Sequence, residues 1–347
     1  MRKLPALMLV CLLAACGGST KSTTSATVPS AGGSAKVLVG AGSTFVYPLV
    51  SQWIADYAQR TGVTVTYGAV GSGGGIAAVS DRTVDFGASD APLTPDQLGA
   101  CNGCAQIPWA LGGTAIAYNL DGAPQHLRLS GPVLAEIYLG KITAWNDPAI
   151  ARLNTGATLP ATHISPVFRS DASGTSYNFS DYLSHVSPAW RRKIGAASTQ
   201  PAFPAGQGAK GSSGVAGLVS HADGALTYVD VAYATTSHLP YAAIENAAKK
   251  PTLPDVQSCA AAAASAPHPK PNRGISIVDP PASAATAYPI CTFTYVIVPR
   301  SSPKGAALKS FLDYALTTGQ RFGPKLLFSP LPQPVVTSGK QAVRTIS

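Results

Sequence analysis

The 347-residue chain is 46% apolar and 12% charged, which supplies a substantial core and excludes global disorder. Its 34 Gly and 29 Pro imply more turns than a helical bundle carries, and its length suits two domains. The formal net charge of +9 favours anionic partners, yet only Arg191-Arg192-Lys193 forms a basic run longer than two and no aromatics interleave with it, so nucleic-acid binding is disfavoured.

The N-terminus sets the compartment. Arg2 and Lys3, then an apolar stretch from Leu4 to Ala15, have the layout of a secretory signal over residues 1–15, too short for a stable membrane span. Leu13-Ala14-Ala15-Cys16 resembles a bacterial lipobox, which makes Cys16 the lipid-modified first residue of the mature chain. Residues 16–35 are rich in Ser, Thr, Gly and Ala without apolar periodicity and read as a flexible tether. Cysteine usage agrees with export. Cys11 leaves with the signal and Cys16 takes the lipid, so Cys101, Cys104, Cys259 and Cys291 remain for two disulfides in an oxidising compartment. Cys101-Asn102-Gly103-Cys104 has the spacing of a redox or zinc motif. No second CxxC or His pair follows at ligand spacing, however, which favours a local loop-closing disulfide with Cys259–Cys291 as the second.

Along the chain, Val37-Leu38-Val39 predicts a strand leading into Gly40-Ala41-Gly42-Ser43-Thr44-Phe45, and apolar positions 46, 49, 50, 53, 54 and 57 predict a helix over 46–59. Val63 to Tyr67 alternates as a strand, and Gly71-Ser72-Gly73-Gly74-Gly75 opens a helix at Ile76 to Ser80. That turn lacks the GK[ST] ending of a nucleotide-binding loop. Val84 to Ala88 reads as a third strand, placing Asp90 at a strand's carboxyl end, where ligands of open α/β sheets sit. Gly112-Gly113 precedes an alternating strand, Thr114 to Tyr118, and Val133 to Leu139 reads as a short helix. In Phe168 to Ser176, Arg169 and Asp171 precede Ser173-Gly174-Thr175 and a helix-like stretch. Hydroxyls and free amides ahead of a helix, with an arginine upstream, are anion-binding chemistry. Gly211-Ser212-Ser213-Gly214 repeats the helix-opening turn before Val215 to Val219, and Leu226 to Val229 is a strand candidate. Residues 260–271 read as an Ala- and Pro-rich surface loop held by Cys259, Phe293 to Val298 as a strand, and Ala307 to Leu316 as a last amphipathic helix.

Four of these stretches carry a resemblance: Gly40 to Phe45, Val84 to Leu93, Ile137 to Ile142 with Trp145, and Arg169 to Ser176. In that order and spacing they closely resemble the phosphate-binding protein of bacterial high-affinity phosphate ABC importers, over most of the chain from about Gly40 onward. The resemblance implies an α/β, two-lobed periplasmic-binding-protein (type 2) fold with the ligand in the cleft between lobes. Residues 36–112 and 292–347 form one lobe in this plan and 113–291 the other, with crossovers near Gly113 and Cys291. It implies inorganic phosphate as ligand, a membrane permease with its ATPase as partners, attachment to the membrane through Cys16, no cofactor and no catalysis.

The same resemblance implies that Thr44, Phe45 (through its backbone N–H), Ser72 and Asp90 line one wall of the cleft. Arg169, Ser173, Gly174 and Thr175 line the other, with Asp171 orienting Arg169. Gly73 stands where family members commonly carry a second serine. The physics of this set is coherent: amides, hydroxyls and a guanidinium donate to a tetrahedral oxyanion. An ionised Asp90, being acceptor-only, demands a ligand oxygen that carries a proton, as phosphate has and sulfate lacks. The rival enzymatic reading, a phosphatase or serine hydrolase, finds no HxH, HExxH or nucleophile-elbow spacing among the six histidines and the serines. A second rival, a lipoprotein adhesin or envelope-anchoring module that merely uses the fold, predicts no phosphate-dependent thermal shift, and a third keeps the binding role with another tetrahedral oxyanion, sulfate, molybdate or a phosphonate, as ligand.

Overall fold

In the computed structural model, which describes residues 37–267 and 274–347, the chain opens with alternating strands and helices. These are β1 (Val37–Gly42), α1 (Tyr47–Thr61), β2 (Thr64–Gly68), α2 (Ser72–Ser80), β3 (Phe86–Ser89) and α3 (Pro95–Ala100). A 15-residue strand, β4 (Cys104–Tyr118), follows. The chain continues through β5 (Arg128–Leu129), α4 (Gly131–Tyr138), α5 (Pro148–Ala151), β6 (Ser165–Arg169), α6 (Gly174–Val186), α7 (Pro188–Lys193) and β7 (Gln207–Ala209). It continues through α8 (Gly211–Ser220), β8 (Ala225–Asp230), α9 (Val231–Thr236), β9 (Ala243–Glu245), β10 (Pro251–Thr252) and α10 (Val256–Ala264). The chain then returns along β11 (Cys291–Pro299) and closes with α11 (Gly305–Leu316) and α12 (Gln333–Arg344). The signal over 1–15, Cys16 and the tether over 16–35 lie outside the described residues.

One sheet has eight strands in the order β2-β1-β3-β11-β4-β8-β6-β7, and β5, β9 and β10 form a small second sheet. β1 pairs parallel with β2 and β3, and β6 pairs parallel with β7 and β8. Between these parallel wings, β11 and β4 are antiparallel. β4 changes partner along its length, pairing with β11 up to Gly113 and with β8 from Thr114. It is buried throughout, so Cys104 to Gly113 gives no two-sided alternation. The sequence reading therefore recognises only its second half.

Helix packing follows the apolar spacing. α1 buries Leu49, Val50, Trp53 and Tyr57 on one face, each large side chain contributing roughly 1.5–3 kcal/mol by leaving water. Trp53 meets Trp109 of β4 edge-on with centroids 5.1 Å apart. The Gly-rich turn expected at 71–75 is instead the first turn of α2 itself, which starts at Ser72. The Ala-rich stretch from 260, read as a loop, is also corrected. Its first part belongs to α10, because alanine is the strongest helix former and a reciprocal Asp255–Ser258 capping box starts the helix. Residues 268–273 of that stretch lie outside the described residues. The disulfides are Cys101–Cys104 and Cys259–Cys291, the latter tying α10 to the start of β11. Among the described residues no helix is long and apolar enough to cross a membrane.

Candidate functional site

The parallel wings of the sheet direct the carboxyl ends of β1, β3, β6 and β8 toward the seam between the lobes, where α/β sheets present ligand sites. On the first wall, Ser43 donates its amide to the Ala88 carbonyl at 2.9 Å, which pins the loop after β1 to the end of β3. That contact sets Ser43 Oγ against Asp90, donating to Oδ1 at 2.6 Å. The Phe45 amide donates to Ser43 Oγ at 3.0 Å, while its ring is buried edge-on against Phe328. Asp90 is buried, and its own amide donates to Ser72 Oγ at 3.3 Å.

On the opposite wall, Arg169 ends β6 with its guanidinium buried. Its Nε and Nη2 donate to the two carboxylate oxygens of Asp171 at 2.7 and 2.5 Å. Asp171 also accepts the Gly211 amide at 3.0 Å, so the brace reaches the first turn of α8. The Arg169 amide donates to the Tyr228 hydroxyl at 3.1 Å, fixing the backbone beneath the guanidinium. Ser173 caps α6, its Oγ accepting the Ser176 amide at 3.2 Å. Thr175 Oγ1 is buried without a hydrogen-bond partner.

The two walls touch. Gly174 donates its amide to Ser72 Oγ at 3.0 Å, Gly73 to the Ala172 carbonyl at 2.9 Å, and Thr44 Oγ1 shares a 2.7 Å hydrogen bond with Ser212 Oγ. The first turns of α2, α6 and α8 thus converge on one seam, and their dipoles make it favourable to negative charge. The approach depends on missing side chains. A Cβ on Gly174 would lie 2.6 Å from both the Asp90 amide nitrogen and Ser72 Oγ. At Gly71 the backbone has φ +91°, and a Cβ would lie 2.3 Å from Asp171 Oδ2. A cavity of about 340 Å³ opens at the rim of the seam, lined from both lobes by Thr44, Tyr47, Val70, Asp171, Lys210 and Tyr233. A second cavity, of about 360 Å³, lies away from these residues among Ile137, Ile164, Val167 and Leu218.

Burial pushes the Asp90 carboxyl up to about 7, against the opposing pulls of the Ser43 hydroxyl, the Arg169 charge and Ser72. Asp171 moves the other way. Burial raises it, but Arg169 and the Gly211 amide outweigh burial and hold it below the usual carboxylate range. Two carboxyls within one seam therefore have separated acidities, which is how a site keeps one accepting and one titrating group.

Thr44, Phe45, Ser72 and Asp90 lie on one side of the seam and Arg169, Asp171, Ser173, Gly174 and Thr175 on the other. Phe45 and Gly174 direct their amides to serine oxygens within the seam. Ser43 and Ser212 were not singled out from the sequence, although both lie in the Gly- and Ser-rich turns recognised there. Their hydroxyl in a helix-opening turn was the available signal. Among the described residues no group of three or more His, Cys, Asp or Glu is placed to hold a metal ion.

A family model described as a PBP superfamily domain matches residues 20–318. The chain is 42% identical over 324 residues to a phosphate-binding protein PstS of Xylella fastidiosa, covering 92% of this chain and 88% of that protein. It is 38% identical over 306 residues to PstS of Pasteurella multocida, with 87% and 88% covered. Against PstS 2 of Mycobacterium tuberculosis it is 35% identical over 358 residues, with 97% and 95% covered. Among solved structures it matches a high-affinity periplasmic phosphate-binding protein bound with phosphate. The TM-score is 0.72 at 21% identity, covering 88% of this chain and 93% of the other, a likeness of fold.

Proposed function

Because the chain belongs to the PstS phosphate-binding proteins of the PBP superfamily, we propose that it captures inorganic phosphate between its lobes, outside the cytoplasm, and hands it to the permease of an ABC phosphate importer. Binding, not catalysis, is its role in this reading. Cys16 carries a lipid that holds the protein at the membrane, with residues 16–35 as the tether. Residues 36–112 and 292–347 act as one lobe and 113–291 as the other, flexing where β4 exchanges β11 for β8.

The observation that supports this reading best is the opposition of Asp90 and Arg169 across a buried seam of helix N-termini. In this reading Thr44, the Phe45 amide, Ser72, Ser173 and Gly174 exchange their present hydrogen bonds within the protein for the ligand's oxygens, Thr175 brings its unpaired hydroxyl, and Arg169 supplies charge. Charge-assisted bonds of this kind contribute roughly 1.5–3 kcal/mol each. Asp90 accepts from the P–OH group, so a ligand without a proton leaves it facing like charge.

Thermal unfolding with added phosphate or sulfate tests the reading, because a ligand that binds only the folded state raises its melting temperature by mass action. Phosphate is expected to raise the melting temperature by several degrees and sulfate to leave it unmoved at equal concentration. An unchanged melting temperature with phosphate would reject phosphate capture. Steady release of phosphate from a chromogenic ester by the purified protein would reject a purely binding role.

A further inference from the structure

One more buried carboxyl, that of Asp230, interacts electrostatically with Asp90, and the reading above gives it no role. It ends β8, where its backbone lies opposite Thr114 of β4, the first residue past the change of strand partner. The parallel neighbour of β8 is β6, so Asp230 stands on the same sheet edge as Arg169. Its side chain is fully buried. Oδ1 accepts the Ala232 amide at 2.9 Å, capping α9, whereas Oδ2 has no hydrogen-bond partner. Thr175 Oγ1, on the first turn of α6, is in the same condition. A buried carboxyl oxygen without a partner costs on the order of 1–3 kcal/mol unless something compensates it.

Charge decides which form Asp230 takes. Arg169 is engaged by both oxygens of Asp171, and its charge is not among the interactions that act on Asp230. Burial, with the like charge of Asp90 adding to it, raises the Asp230 carboxyl well above the carboxylate range against the amides of Ala232 and Tyr233. Tyr233 itself interacts with Asp230, Tyr47, Arg169 and Asp90, and burial raises it too, so it stays neutral. Burial thus favours the neutral carboxylic-acid form of Asp230, whose Oδ2 makes no hydrogen bond within the protein.

We propose that Asp230 is a further phosphate-binding residue: a neutral carboxylic acid on the edge of β8 whose Oδ2–H donates to a phosphate oxygen held between Asp90 and Arg169. The proposal rests on the phosphate-capture reading. The two acids then divide the work. Asp90 accepts from the protonated phosphate oxygen, and Asp230 donates to an unprotonated one. Ionisation of Asp230 removes the donor and adds like charge, so affinity falls as pH rises through its pKa.

Calorimetry with inorganic phosphate on the wild type, Asp230→Asn and Asp230→Ala tests it, run from about pH 6 to 9 and paired with infrared difference spectra. Asp230→Ala is expected to bind ~10–100-fold more weakly at neutral pH, the usual loss of a hydrogen bond to a charged ligand. Asp230→Asn keeps an N–H donor and the helix cap, so it should bind less than tenfold more weakly. A fall in wild-type affinity that comes from ionisation of Asp230 should be absent from Asp230→Asn. In the wild type a protonated-carboxyl stretching band should shift when phosphate is added, and that band should be missing from Asp230→Asn. Wild-type affinity in folded Asp230→Ala, or a wild type without a phosphate-sensitive acid band, would overturn the proposal. If Asp230→Ala does not fold, the Asn variant and the infrared band decide. A wild type that binds no phosphate would overturn the capture reading and this proposal together, whereas tight wild-type binding unaffected by Asp230→Ala overturns this proposal alone.

Discussion

Ser72 Oγ accepts the Gly174 amide at 3.0 Å, joining the first turn of α2 to the first turn of α6 across 102 residues of sequence. The same oxygen receives the Asp90 amide at 3.3 Å, so one serine couples the closure of the seam to the position of its titrating carboxyl. Closure is favoured when a ligand touches both walls only in the shut form.

The tightest point of that contact is Gly174. Its replacement by alanine puts a methyl group 2.6 Å from the Asp90 nitrogen and Ser72 Oγ, and the former is backbone that cannot swing aside. Gly174→Ala is expected to hold the lobes apart and weaken phosphate binding by at least ~100-fold, while each lobe stays folded. Small-angle scattering checks this: the wild type should contract on adding phosphate and the variant should not.

Asp171 compensates a buried guanidinium. Asp171→Ala leaves the Arg169 charge, 2% exposed at its side chain, with no carboxylate partner. Breaking such a pair by removing one partner costs ~3 kcal/mol or more. A marked fall in melting temperature without ligand, largely restored by saturating phosphate, is the expected outcome of a thermal scan.

Asp90 makes the account depend on pH. Its carboxyl is raised from 3.8 to about 7, so the folded state binds more protons than the unfolded state between those values. Its ionisation therefore erodes the stability of the closed form as pH rises from about 4 to 7, by ~4 kcal/mol at most. Asp90→Asn should remove that erosion in denaturant titrations of the ligand-free protein. Below about 7 a protonated Asp90 can donate to sulfate, so discrimination against sulfate should narrow in acid.

The Cys259–Cys291 disulfide fastens α10 to β11 across a sequence separation of 32. Replacing both cysteines by serine is expected to lower stability by ~2–4 kcal/mol, read as a lower denaturant midpoint.

Much of the fold was legible locally. α1, β11 and α11 follow from apolar spacing, and the seam residues from short turns in which glycine and hydroxyls precede a helix. What escaped was information that one stretch of chain does not carry. Thr44 and Ser212 meet although 168 residues separate them, so the pairing depends on the fold and not on either turn. The Ala-rich run gave no amphipathic stripe, and its helix depends on the Asp255–Ser258 cap and on packing behind β4 and β11. Asp230 follows the predicted strand Leu226 to Val229 and carries no motif of its own. Only the fold brings it to the edge that carries Arg169, with an oxygen left unpaired.

The central claim is that a buried acceptor opposite a fixed guanidinium selects a protonated tetrahedral anion. Titration calorimetry of the wild type and Asp90→Asn with phosphate and with sulfate at pH 8 tests it most directly. The account predicts a wild-type preference for phosphate of at least ~100-fold, cut by tenfold or more in Asp90→Asn. Equal affinities for the two anions in the wild type, or an unchanged preference in Asp90→Asn, would contradict it.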